Sequence, residues 1–86
     1  MPEISRFKGM VIRMFYQDHE IKHIHVYSAG RFSKIDFNGK VIRGYLPPNK
    51  LNIISKWIEL HKKELENNWI KIRNKEFPER IEPWKK

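Results

Sequence analysis

Hydrophobic and polar positions alternate in short runs from Met10 to Leu46, and the apolar spacing then lengthens to that of a helix. The runs MVIRMFY, HIHVYS, FSKIDF and KVIRGYL are rich in β-branched and aromatic residues, while QDHEIK, AGR and NG between them are turn-like. The pattern predicts an antiparallel meander of four strands over about residues 4–46, with EISRF as an additional edge strand. Asn38 and Gly39 read as a type I′ hairpin turn, because both of its central positions need positive φ. Pro47 and Pro48 end the sheet, since neither donates to a ladder and Pro fits the first turn of a helix.

One long helix is predicted over about residues 49–75, with a tail over 77–86. At about 100° per residue, Leu51, Ile54, Ile58, Leu65, Trp69 and Ile72 share a stripe that would pack on the sheet. His61 falls inside that stripe and reads as a hydrogen-bonded core residue. Ile53, Trp57 and Leu60 widen the apolar face; a partner interface, including a homodimer, is one explanation and a broad intramolecular core the other. Ile81 and Trp84 would pin the tail back onto the domain. The expected class is therefore α+β, a four- to five-stranded antiparallel sheet packed against one C-terminal helix.

Strand alternation divides the side chains between two faces. With Ile12, Met14, Ile24, Val26, Ile35, Phe37, Ile42 and Leu46 turned to the helix, the opposite face carries cations among aromatic rings. These are Arg13, His23, His25, Lys34 and Arg43, with Phe15, Tyr27, Phe32 and Tyr45. Cations can meet phosphates while rings stack unpaired bases, so the mixture suits a nucleic acid. A second small core or a partner contact on that face is the alternative.

Charge strengthens the first of these readings. Eighteen Lys and Arg against ten Asp and Glu give a net charge of +8, spread along the chain rather than gathered in a tail, so a polyanion or an acidic protein is the natural partner. A chain of 86 residues makes one small domain. No run approaches the ~18 apolar residues of a membrane span, and the expected location is the cytoplasm. The lack of cysteine removes disulfides, thiolate zinc sites and cysteine nucleophiles together, leaving oxygen and imidazole chemistry.

Three of the four histidines, His19, His23 and His25, fall in the segment DHEIKHIHV. As a catalytic group, one neutral imidazole would remove a 2′-hydroxyl proton and one protonated imidazole would supply a proton to the leaving oxygen. His23 and His25 are the candidate pair, with His19 and Tyr27 as further participants. Arg13, Lys34 or Arg43 would stabilise the phosphorane charge, and Asp18 or Asp36 would orient an imidazole. As a metal site, His23 and His25 lie about 6.6 Å apart along a strand and could share a divalent ion with Asp18 or His19. No fourth ligand is evident, and no cofactor is expected. The remaining reading is a surface or partner-binding cluster.

Over nearly its whole length the chain resembles the domain-of-unknown-function family DUF4160. The resemblance lies in MPEISRFKGMVIRMF, DHEIKHIHV, NGKVIRGYLP, WIELHKKELENNW and IEP. Asp18, His19, His23 and His25 match the family's histidine segment, whereas Ile21 and Lys22 replace its Pro-Pro pair and Ile24 replaces an aromatic residue. The resemblance implies a prokaryotic protein encoded beside a second small protein, in pairs that look like toxin and antitoxin modules. It therefore implies a cognate partner and action on RNA, without supplying an established reaction. The leading expectation is a toxin-like protein acting by RNA binding or metal-independent cleavage; a non-catalytic protein- or DNA-binding regulator is the alternative.

Overall fold

The computed structural model describes residues 3–14 and 21–85. Five strands, β1 (Glu3–Phe7), β2 (Met10–Arg13), β3 (His23–Ser28), β4 (Arg31–Asp36) and β5 (Val41–Gly44), form one antiparallel sheet whose spatial order follows the chain. EISRF is β1, and HIHVYS is β3 residue for residue.

Hairpin chemistry differs from the expectation at Asn38-Gly39. Both central residues have positive φ at Lys8-Gly9 (52° and 74°) and at Ala29-Gly30 (52° and 74°), the signature of type I′ turns. At Asn38-Gly39 only the glycine does, with φ 85°. The cause is Asp36. Its carboxylate Oδ1 accepts the N–H groups of Asn38 and Lys40, both at 2.9 Å, while its carbonyl accepts Gly39 N–H at 3.0 Å. These bonds favour a longer loop in which glycine alone takes the left-handed position.

Sheet register places Ile12, Val26 and Ser33 in one cross-strand row, and Ile24 opposite Ile35. The apolar members of this face are wholly buried with Ile4, Met10 and Met14 beneath the helices. On β5 the expected alternation is corrected. Ile35 faces Val41 and Lys34 faces Arg43, leaving Ile42 as the extra residue of a bulge. Val41 consequently packs on the core, and Ile42 is exposed.

The single predicted helix is two, α1 (Pro48–Leu60) and α2 (Lys62–Arg73). His61 between them has φ −111° and ψ 24°, outside the helical basin. Its N–H still donates to Trp57 O and its carbonyl still accepts from Leu65, both at 3.0 Å, so the interruption is one residue long. The His61 ring packs on Trp57 at 5.5 Å, and its Nδ1 bonds Glu64 Oε1 at 2.6 Å in the first turn of α2. A one-residue break hardly disturbs apolar spacing. Ile54 and Ile58 of α1 and Leu65 and Trp69 of α2 therefore all remain buried, as their shared stripe requires.

The tail returns across β1. Asn68, buried on α2, donates from its side-chain amide to Glu79 O at 2.8 Å and accepts Glu79 N–H at 2.9 Å. Ile81 N–H donates to Ile4 O at 2.8 Å, Trp57 Nε1–H donates to Glu82 O at 2.8 Å, and Trp84 packs on the core. Arg80 reaches Glu3, which Arg6 also holds at 2.8 Å. The Arg6 hydrogen bond, followed by that from Arg80, lowers the Glu3 pKa from 4.5 to about 2. No helix among the described residues is long and apolar enough to cross a membrane.

Candidate histidine and cation site

On the sheet face opposite Ile24 and Val26, strand pairing aligns Arg13 with His25, His25 with Lys34, and Lys34 with Arg43. One row of four basic side chains thus crosses four adjacent strands. In the next row Val11, Tyr27 and Phe32 are neighbours, with the Arg13 guanidinium 5.4 Å from the Tyr27 ring centroid. The rings of Tyr27 and Phe32 lie 5.4 Å apart, and Phe32 also packs on His25 at 5.0 Å. The pattern of residues had brought these groups together correctly. It missed Arg31, which lies 5.7 Å from the Tyr45 ring and adds a cation to the exposed end of β4. Arg31 opens β4 opposite Ser28, directly after the turn, and nothing in the alternation of the strand signals its contact with Tyr45.

The histidines depart from the expectation of an open surface, since His23 is 0% and His25 4% exposed. His23 packs edge-on against Trp69 of α2 at 5.4 Å, which covers the start of β3. Its Nδ1 lies 2.6 Å from Ile21 O, and its Nε2 lies 3.2 Å from His25 Nε2. A carbonyl only accepts, so Nδ1 of His23 carries a proton. Lys34 is buried as well, whereas Arg13 is half-buried and Arg43 and Tyr45 are exposed.

Asp36 stands opposite His23, but Oδ1 is engaged by the turn amides described above. Phe15, Asp18 and His19 lie outside the described residues. Among the described residues no three His, Cys, Asp or Glu side chains are grouped to hold a metal ion.

The apolar partner face is also corrected. Trp57 is fully buried, tilted against Phe7 at 5.2 Å, so it belongs to the core and cannot present a docking surface. Its ring width fills the space between β1 and the tail, which apolar spacing alone does not reveal. Ile53 is half-buried against the same core. Leu60 alone of the three is exposed, at the rim of a mainly apolar groove of about 270 Å³ that His61, Pro83 and Trp84 also line.

A small α+β domain with a basic, aromatic sheet face is the class these features define. A family model described as "Domain of unknown function (DUF4160)" matches residues 9–70, and the chain belongs to that family. No curated protein and no solved structure matches it.

Proposed function

We propose that this protein binds single-stranded RNA across the basic face of its sheet, as the toxin-like component of a two-protein module, with the histidines supplying metal-independent cleavage. The observation that carries the RNA reading is the row Arg13, His25, Lys34, Arg43 flanked by Tyr27 and Phe32, with exposed Tyr45 following directly after β5. Basic side chains spaced by one strand separation, about 4.8 Å, match a charged backbone better than a compact ligand. Exposed Tyr45 beside Arg31 offers a stacking surface, which unpaired bases can use and stacked duplex bases cannot. The partner component rests on the gene pairing that the family resemblance implies, and exposed Leu60 offers such a protein an apolar contact.

Fluorescence anisotropy with labelled single-stranded RNA at several salt concentrations tests the binding. Tyr45→Ala is expected to lose about 1–3 kcal/mol. Arg43→Ala should lower the slope of log affinity against log salt by roughly 0.7. Equal binding by both variants and the wild type would remove the sheet face from the reading. Induced expression, followed by growth and RNA integrity, tests the toxin-like component. Burial of both histidines favours one second reading, a non-catalytic binding module; RNA bound without cleavage, unchanged by His25→Gln, is its signature.

A further inference from the structure

We infer that the open edge of β5 takes an extended acidic segment of a partner protein, which pairs with that strand and lengthens the sheet. The inference goes beyond the RNA reading and does not rest on it: RNA would lie on the face of the sheet, whereas this segment lies along its side.

The two edges of the sheet are treated differently. Along β1 the tail supplies cover, with Ile81 N–H donating to Ile4 O and Arg80 paired with Glu3. β5 is the opposite edge, and β4 is its only strand partner. Among the described residues, no backbone hydrogen bond from a turn, cap or tail reaches Val41–Gly44. Ile42, Arg43, Gly44 and Tyr45 are exposed in succession, a run that strand alternation on a covered sheet would not give. The outer side of β5 therefore presents N–H donors and C=O acceptors together. Only another polypeptide backbone supplies both partners at the matching spacing; a phosphate chain accepts without donating.

Charge decides which polypeptide. Exposed Lys40 precedes the strand, exposed Arg43 lies within it, and exposed Arg31 reaches Tyr45 just beyond its end. β5 itself has no acidic residue. Asp36, the nearest in sequence, is buried and its Oδ1 holds the turn amides. Cations and bulges on an edge strand guard it against unwanted pairing, and β5 has both. A guard made of charge is selective by sign. A second copy of this chain would set the cations of one β5 against those of the other, with a net charge of +8 on each molecule, and like charges across strands repel. A segment with Asp or Glu at alternate positions meets the same cations favourably while its backbone extends the ladder. Residues 40–45 span roughly 17 Å at about 3.3 Å per residue, so about six residues of the partner fill the edge. Ile42 and Tyr45 give its remaining side chains apolar contact.

The test is an NMR titration of ¹⁵N-labelled intact protein with synthetic peptides of about nine residues, long enough to cover the edge. One alternates Thr and Glu, a second has Lys in place of every Glu, and a third has Pro in place of every second Thr. The expected result is binding of the first alone, with a dissociation constant of about 1 mM or tighter, shifts centred on residues 40–45, and slowed amide exchange in β5. Equal binding of the Pro-containing peptide would show attraction without strand pairing, and equal binding of the Lys peptide would show pairing without charge; either overturns the inference. So does the absence of binding, or a response at β1 in place of β5. Arg43→Glu, checked for folding by circular dichroism, should shift the ratio of affinities for the first two peptides roughly tenfold towards the Lys peptide, and an unchanged ratio counts against the inference. Sedimentation of the protein alone should give a monomer; a dimer with protected β5 amides would assign the edge to a second copy instead.

Discussion

Replacing Gly44 with Ala should be among the most damaging small substitutions in this chain. Gly44 closes β5 with φ 80°, and a Cβ there would lie 2.2 Å from Phe32 O, 2.9 Å from Ser33 Cα and 3.1 Å from Phe32 C. All three are backbone atoms of β4, whose Ser33 pairs with Gly44. None can swing aside as a flexible side chain could. The left-handed conformation costs a non-glycine residue roughly 1–2 kcal/mol, and overpacking against atoms that cannot move adds about 1–3 kcal/mol. The sum, about 2–5 kcal/mol, is a large part of the stability of a domain this size. Gly30→Ala is the control, because φ there is 74° but an added Cβ would meet nothing within 4 Å. It should lose only the conformational term. Thermal unfolding followed by circular dichroism would separate the two, with melting temperatures differing by roughly 4–8 °C per kcal/mol. Equal losses in the two variants would refute the claim that β4 crowds Gly44.

Three further outcomes follow from the packing. Asn68→Ala removes both bonds to Glu79 and should cost about 1–3 kcal/mol, with faster proteolysis in the tail; exposed Asn67→Ala, expected within about 0.5 kcal/mol of wild type, is its control. Trp69→Ala strips the cover from His23 and Phe37 and should cost about 3–5 kcal/mol in equilibrium unfolding; a loss below 1 kcal/mol would mean that the cover is not needed. Glu3 should titrate by NMR near pH 2. Because its folded value is depressed, its contribution is complete above the unfolded value of 4.5 and is lost as pH falls from there through about 2. A midpoint near 4.5 would show that Arg6 and Arg80 do not hold it.

Much of this architecture was legible because alternation is a strong constraint. One wrong assignment on β3 would have inverted every residue from His23 to Ser28, and the assignment holds. The bulge at Ile42 was not legible, since VIR alternates no differently whether or not one residue lacks a partner. His61 broke the helix without Pro or Gly to mark it. At the site, residue types foretold which side chains share a face but not whether that face is open. Trp69 lies forty-six positions beyond His23, and nothing local to HIHVYS signals its arrival. Trp57 misled for a related reason, because a position beside the main helical stripe becomes core when a tail covers it.

The clasp between Arg80 and Glu3 joins residues 77 positions apart, as does that between Ile81 and Ile4. Closing so long a loop carries a high entropic penalty and little local help, whereas each hairpin closes between neighbours. During synthesis the hairpins can zip as they emerge, while β1 must wait for the tail to leave the ribosome. The outer edge of β1 is thus sealed later than the hairpins form, and until the tail arrives it lies open to other polypeptides.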